Sequence, residues 1–220
     1  MSPRLPAARS SRFSFSLALA ASFLLAGVAA AAPTIGYVED WPGTSLDGWG
    51  GGSIYSNPGT GGVGGAGDGY LVISTATTAH LGGFSTGSEY AGDWLAAGIT
   101  RVRFSLKDVG LPQALEIHFG IGTDLNFWQY NTGFVPIAAG WIDFEVNMDG
   151  PLGWTRIIGT GSFPDALRYA DRILLRHDRA PFFQTPDAIK ADFGVDHLQL
   201  LTSATPVAAS SWGRLKALYR

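Results

Sequence analysis

The stretch Trp141–Met148, WIDFEVNM, alternates between two kinds of side chain without a break. One face carries the apolar residues Ile142, Phe144, Val146 and Met148. The opposite face carries Trp141, Asp143, Glu145 and Asn147. A period of two predicts a strand of an antiparallel sheet, with one face on a core and the other in water. The second face sets a tryptophan beside two carboxylates and an amide, so it is the wet side of a sheet, a binding face or a catalytic face.

The same period recurs on both sides of this stretch. Thr100–Lys107, TRVRFSLK, and Ala114–Gly122, ALEIHFGIG, each place apolar residues on one face. RILLRH (172–177) is apolar enough for a covered strand, and KADFGVDHLQLLT (190–202) predicts a long last strand with a kink at Gly194. Roughly nine to eleven strands, frequent turn signals and almost no helix predict an all-β fold, an antiparallel β-sandwich of jelly-roll type.

Helix signals are confined to two places. GTGSFPDALRYAD (159–171) predicts one short helix, with Ser162 as N-cap and Pro164 and Asp165 in its first turn. The final residues, 203–220, predict a linker and a short basic amphipathic C-terminal helix. A helix of about ten residues is not stable alone. This tail therefore docks on a surface or sorting partner, or it is a frayed terminus.

The N-terminal residues 1–32 have the layout of a secretory signal peptide, because basic residues precede an apolar run and an alanine-rich end. The chain has no cysteine, which excludes thiolate chemistry and a lipid anchor on a cysteine. Its formal net charge of −3 disfavours a nucleic-acid partner. The sequence thus predicts an exported protein, secreted or at the cell surface, with no membrane span after signal cleavage. Residues 33–202 form its single β-sandwich domain.

Three stretches in a fixed order carry a family resemblance: EDWPGTSLDGW (39–49), EYAGDWLAAGITRVRFSLK (89–107) and FPDALRYADRILLRHDRAPFFQTPDAIKADFGVDHLQLL (163–201). The first is similar to the opening strand and Gly-Trp turn of carbohydrate-binding modules and laminin-type jelly rolls. The other two resemble the laminin IV (laminin B) domain, although LAAGIT (95–100) replaces that family's Tyr-Gly-Gly. The resemblance implies a galactose-binding-like jelly roll, mostly non-catalytic, that binds glycans or matrix polymers or serves as a spacer. Several proteins of this type hold a structural calcium between the first and last strands, so the resemblance also implies such a site here.

Acidic residues near both ends of the domain make a candidate calcium site. Ca²⁺ takes six to eight oxygen ligands from carboxylates and carbonyls. If the first and last strands pair, carboxylates from both approach each other, and the Gly-rich backbone offers carbonyls. The candidate ligands are Glu39, Asp40, Asp68 and Asp196. The alternative is that these are solvated carboxylates of turns.

A candidate glycan-binding face follows if the alternating strands are neighbours. Sugars stack on aromatic rings and take polar partners for their hydroxyls. The candidate ligand-binding residues are Trp141, Asp143, Glu145, His118, Arg103, Trp128 and Tyr130. The alternative is an ordinary wet face with cross-strand ion pairs, and Trp128 and Tyr130 are then core residues.

Two further readings concern catalysis and a rim loop. Asp143 and Glu145 have the separation of glycosidase carboxyls, but the Glu-x-Asp-x-x-Glu run of glycosidases on related sandwiches is absent. The stretch LLRHDRAPFF (174–183) either binds a ligand at a sandwich rim or fills the space beneath a loop.

The sequence as a whole predicts a non-catalytic module for a glycan or cell-surface polymer. The alternatives are a structural or adhesive module and a glycan-active hydrolase.

Overall fold

A computed structural model describes residues 32–110 and 114–203 of the chain. The strands are β1 (Val38–Glu39), β2 (Ile54–Ser56), β3 (Leu71–Ser74), β4 (Ala79–His80), β5 (Gly82–Ser85), β6 (Ile99–Asp108), β7 (Ile117–Thr123), β8 (Asn126–Tyr130), β9 (Ile142–Asn147), β10 (Trp154–Gly159), β11 (Arg172–His177), β12 (Ala188–Ile189) and β13 (Asp192–Thr202). One helix, α1 (Phe163–Arg168), lies between β10 and β11. This content confirms the predicted all-β class with one short helix.

The strands form two facing antiparallel sheets. Sheet A has the order β2-β3-β13-β6-β9, with β1 also paired to β13. Sheet B has the order β10-β8-β7-β11-β5, and β4 pairs with β12 in a small separate ribbon. Non-consecutive neighbours such as β13 and β6 are typical of a jelly roll, so the predicted sandwich is confirmed.

The core lies between the inner faces of the two sheets. Phe104 of sheet A and Phe119 of sheet B meet with ring centroids 6.3 Å apart. Phe134 and Phe144 close one side of this contact at 4.9 Å. These buried rings remove apolar surface from water, which is the main driving force that holds the sheets together. The alternating stretches of the sequence therefore face each other across the core as their period predicts.

The last strand is irregular, though not where the sequence predicts. Its pairing with β6 shifts register between Asp196 and Gln199, and His197 has a positive φ of 54°. A residue inserted in one strand forms a bulge that redirects side chains. Gly194 instead lies in regular pairing, and a Cβ there would meet Tyr70 at 2.9 Å. The glycine is a site of close packing, so the predicted kink at Gly194 is wrong.

The predicted cap of the helix is confirmed. The Ser162 hydroxyl accepts a hydrogen bond from the backbone N–H of Asp165, which satisfies a free donor of the first turn. The predicted signal peptide, apart from Ala32, and the predicted tail beyond Ser203 lie outside the described residues. Within the described residues, no helix is long and apolar enough to cross a bilayer.

Candidate functional site

The polar face of WIDFEVNM lies on the outer surface of sheet A, and its charged groups have partners there. The Ser105 hydroxyl donates to Asp143 over 2.6 Å. Arg101 and Arg103 reach the two carboxylate oxygens of Glu145 at 3.3 and 3.5 Å. Because β6 and β9 pair in register, these contacts are cross-strand pairs of a solvent-facing sheet.

Trp141 stands beside this row at the start of β9 and is half-buried. Its ring meets Tyr70 edge to face, with centroids 5.0 Å apart. Its indole Nε1 donates to the carbonyl of Gly61 over 3.1 Å, and Lys107 Nζ lies 5.9 Å from its ring centre. The ring thus ties the Gly-rich segment between β2 and β3 to sheet A.

His118 lies away from this row. It belongs to β7 in sheet B, whereas Arg103 and Glu145 belong to sheet A. Its side chain is fully buried, its Nδ1 lies 2.8 Å from the Tyr130 carbonyl, and the Phe182 ring covers it at 4.8 Å. The expectation that these strands share one face is wrong for His118, because the chain changes sheet between β6 and β7.

Trp128 and Tyr130 lie on the inner side of sheet B. Trp128 packs on Phe163 of the helix at 5.5 Å, and Tyr130 packs on Trp154 at 5.2 Å. Both rings are partly buried against the core cluster. The structure places these two residues in the rim of the core, which is the alternative that the sequence left open.

Asp143 and Glu145, the two acids that a glycosidase would use, point in the same direction. Asp143 and Glu145 lie two residues apart on β9, and both side chains are exposed on the outer face of sheet A. Glycosidase carboxyls flank a bond from two sides. These two carboxyls do not face each other across a cleft.

A buried polar network organises the rim loop after β11. Arg176 donates from Nη2 to Asp178 and from Nε to Gln129, each over 2.6 Å. Its guanidinium also binds the carbonyls of Phe183 and Gln184 at 2.6 and 2.9 Å. Burial lowers the pKa of Arg176, and the Asp178 carboxylate opposes that shift. The rim loop is therefore fixed from below by one arginine.

The outer face of sheet B carries a groove beside this loop. Two adjoining cavities of about 250 and 200 Å³ share Phe84, Leu174 and Arg176 in their walls. The first extends over β8 and β10, and the second extends past β5 toward Gly51. The groove, meaning these two adjoining cavities, is thus bordered by residues of all five strands of sheet B.

Strand β7 contributes a glycine beneath the wall residue Phe127. Gly120 pairs with Leu174 and faces outward, and a Cβ at Gly120 would lie 2.6 Å from the Phe127 ring. Phe84 is 37% exposed, and the Arg172 guanidinium lies 5.9 Å from its ring centre. An accessible ring in a groove with nearby polar side chains is the composition of a small-molecule or sugar site.

The sequence reasoning missed Phe84, Phe127 and Arg172 as groove residues. The signal was present in RILLRH (172–177), where Arg172, Leu174 and Arg176 alternate with the core residues Ile173 and Leu175. That period predicts an outward row of two arginines and a leucine.

A second feature, the carboxylate cluster, joins three distant parts of the chain. One carboxylate oxygen each from Asp40, Asp68 and Asp196 lie within 4.8 Å of one another. The predicted pairing of the first and last strands is present, with Glu39 opposite Leu198. Asp196 also accepts backbone N–H bonds from Val63 and His197, at 2.7 and 2.8 Å.

The cluster is electrostatically unfavourable on its own. Burial, with the charges of Asp68 and Asp40, raises the pKa of Asp196 to about 6, although the two N–H bonds act to lower it. Gly62 makes room for the carboxylates, because a Cβ there would lie 2.5 Å from Asp68 and 2.7 Å from Asp196. Three hard oxygen donors held together are a donor set that fits a divalent cation.

Glu39 lies outside this cluster, unlike its three companions in the predicted metal site. Its Oε2 accepts hydrogen bonds from Tyr37 and Tyr90, at 3.0 and 3.1 Å. Burial raises the pKa of Glu39 to about 7, and Asp47 contributes in the same direction. Side chains of neighbouring residues in an extended chain point to opposite faces. Glu39 therefore points toward the two tyrosines, whereas the next residue, Asp40, points toward the cluster.

The fold was then compared with known proteins. The chain is similar to a domain of an exo-β-agarase, with a TM-score of 0.55 and 11% identity over 78% of this chain and 25% of that chain. It is also similar to the tandem family 22 carbohydrate-binding modules of Paenibacillus barcinonensis Xyn10C, with a TM-score of 0.50 and 14% identity over 80% of this chain and 49% of that chain.

A third similar structure is the family 11 carbohydrate-binding module of Clostridium thermocellum Lic26A-Cel5E, with a TM-score of 0.49 and 20% identity over 78% of this chain and 97% of that chain. No family model and no curated protein matches this chain. The similarity to the family 22 modules and the strand order together show a jelly roll of the kind found in carbohydrate-binding modules. The resemblance to the laminin IV domain stays a prediction.

Proposed function

We propose that this protein is an exported, non-catalytic module that binds a polysaccharide segment in the groove of sheet B. The observation that carries the proposal is the pair of adjoining cavities that share the exposed ring of Phe84 in their walls. Five strands spaced by about 4.8 Å give a width of about 19 Å, which suits an extended chain better than a single sugar.

The groove offers the two interactions that sugars require. The Phe84 ring is exposed enough for a sugar C–H face to stack on it. Thr123, Asp124 and Gln184 line the same space and offer hydrogen-bond partners for hydroxyl groups. The shared fold with carbohydrate-binding modules supports the same ligand class.

The outer face of sheet A is the competing location. Trp141 with Asp143 and Glu145 forms the platform that the sequence predicts. Their polar groups already have protein partners, and the Trp141 ring meets Tyr70 on edge. The groove is favoured because its aromatic ring and its polar groups face the same open space.

A screen with purified protein separates the two faces. Wild-type protein, Phe84→Ala and Trp141→Ala are tested against immobilised xylan, mixed-linkage β-glucan and agarose. Phe183→Ala is the matched control, because Phe183 is 62% exposed on the rim loop and lies outside the groove walls.

We expect Phe84→Ala to weaken binding at least tenfold, which is about 1.4 kcal/mol, and Phe183→Ala to leave it within twofold. Loss of binding only in a folded Trp141→Ala variant would move the site to sheet A. Absence of binding by folded wild-type protein would favour the structural or adhesive module.

We also propose that Asp40, Asp68 and Asp196 hold a structural calcium ion. Their three carboxylate oxygens match the hard ligands that Ca²⁺ prefers, and bound Ca²⁺ would offset their mutual repulsion. Such an ion would fix the start of the domain and the Gly-rich segment to the last strand. Glu39 takes no part in this proposal, since its carboxylate is bonded to two tyrosines.

The leader and the tail belong to the same proposal. The basic and apolar pattern of residues 1–32 supports export, and the ligand is then a glycan outside the cytoplasm or at the cell surface. The basic residues Arg214, Lys216 and Arg220 support a separate surface or sorting partner for the tail.

A further inference from the structure

Each arginine of the sheet B groove is already matched by an aspartate. Arg172 donates from Nε and Nη2 to the two carboxylate oxygens of Asp171, at 2.7 and 3.3 Å. Arg176 donates to Asp178 over 2.6 Å. Each pair offsets the positive charge of its guanidinium, which weakens the attraction for a second anion.

A further carboxylate increases the negative charge of this site. Asp124 lies in the groove wall with Arg172, and its charge adds to that of Asp171 in raising the Arg172 pKa. Around the groove, the three aspartates Asp124, Asp171 and Asp178 therefore outnumber the two arginines. Arg176 has its Nε and both Nη atoms bonded to protein acceptors, so it too has limited capacity for a ligand.

We propose that the groove selects uncharged polysaccharides over uronate-bearing ones, and that Asp171 is a specificity-determining residue. This inference rests on the proposed function. A ligand carboxylate near Phe84 would meet a guanidinium already paired with Asp171 and the further carboxylate of Asp124, so it would lose water with little gain from an ion pair. A neutral sugar pays no such penalty and still stacks on the ring.

Asp171→Asn is the decisive variant. It keeps the size of the side chain but removes the charge that neutralises Arg172, which lies over Phe84. Asp165→Asn is the matched control. Asp165 forms a similar surface pair with Arg168, at 3.2 Å, on the helix and outside the groove walls.

The test measures binding of two polysaccharide pairs by titration calorimetry. One pair is mixed-linkage β-glucan and the same glucan oxidised to uronate at C6; the other is unsubstituted xylan and glucuronoxylan. We expect wild type and Asp165→Asn to bind the neutral member about tenfold more tightly, the effect of about 1.4 kcal/mol. Asp171→Asn should bring the two members of each pair within about threefold, through a gain for the acidic member.

Three outcomes contradict the inference in distinguishable ways. Equal or tighter binding of the acidic member by wild type overturns the selectivity and leaves the proposed function intact. An unchanged ratio in a folded Asp171→Asn variant removes Asp171 as its cause. Binding of neither member by folded protein overturns the proposed function, and the inference with it.

Discussion

Arg176 and Arg168 each pair with one aspartate, but burial makes the two pairs unequal. The side chains of Arg176 and Asp178 are 5% and 3% exposed, whereas those of Arg168 and Asp165 are 44% and 48% exposed. Removing one member of a buried pair leaves the other charge buried with neither its partner nor water, which costs about 3–5 kcal/mol. An exposed pair contributes about 0–1 kcal/mol.

We therefore predict that Arg176→Met lowers the free energy of unfolding by about 3–5 kcal/mol, and that Arg168→Met lowers it by less than 1 kcal/mol. Urea denaturation followed by tryptophan fluorescence measures both. Equal losses in the two variants would mean that water reaches the Arg176 network.

Glu39 gives a second prediction at the residue scale. Burial raises the pKa of Glu39 in the folded protein to about 7 from 4.5. The folded state therefore binds the proton more tightly than the unfolded state does. The stabilisation is fully present below pH 4.5 and is lost as the pH rises through 7.

Glu39→Gln should remove this dependence. The amide oxygen still accepts from Tyr37 and Tyr90, and no proton is taken up on folding. Unfolding free energies between pH 5 and 7 should fall less steeply in the variant, by up to about 1.4 kcal/mol per pH unit. Identical slopes in wild type and variant would contradict the raised pKa.

The alternation of the sequence predicts which face of its own sheet a residue occupies. It does not predict which of the two sheets the strand joins. The period of two placed Asp143 and Arg103 correctly on an outward face. His118 obeys the same parity, but it lies in the other sheet and beneath Phe182. The alternation within β7 would be the same in either sheet, so it could not predict which sheet the strand joins.

Strand β13 illustrates the same limit for a whole element. Its length is predictable from the apolar run that ends at Leu201, but its bulge is not. The bulge occurs where His197 takes a positive φ, and Asp196 accepts an N–H bond from Val63. Those contacts come from a segment more than a hundred residues earlier, so no local pattern encodes them.

The glycine of this strand has a testable role in packing. Gly194 lies where a Cβ would be 2.9 Å from Tyr70 and 3.0 Å from Trp141, closer than ordinary contacts. Gly194→Ala should therefore destabilise the domain by about 1–3 kcal/mol through overpacking. Gly50→Ala is the control, because a Cβ at Gly50 meets nothing within 4 Å.

Thermal unfolding of both variants is the measurement. A Gly194→Ala protein as stable as Gly50→Ala would show that the two aromatic rings move aside at no cost. A large loss in both would instead indicate that glycine is needed at each position for its backbone.

At the scale of the whole molecule, β13 is the strand that connects the parts. It pairs with β1, β3 and β6, and it carries Asp196 into the carboxylate cluster. Asp40 and Asp68 reach that cluster from the start of the domain and from the Gly-rich segment. An ion bound there would stabilise the folded state alone, because the three carboxylates are far apart in an unfolded chain.

Calcium should therefore raise the melting temperature. At a hundredfold excess over Kd, binding to the folded state alone contributes about 2.7 kcal/mol. For a domain of this size that corresponds to a shift of roughly 5–10 °C. Calorimetry at pH 7.5 in calcium and in EDTA measures the shift, with Asp68→Asn as the test variant and Asp143→Asn as the exposed control.

The pH dependence of this shift separates calcium binding at the cluster from other effects. Because the pKa of Asp196 is raised to about 6, Ca²⁺ must displace a proton from the cluster below that pH. We expect the calcium shift to shrink between pH 7.5 and pH 5 in wild type, to be lost in Asp68→Asn and to persist in Asp143→Asn. A shift that survives in Asp68→Asn would place the ion elsewhere, and no shift in wild type would leave three carboxylates whose repulsion other contacts must balance.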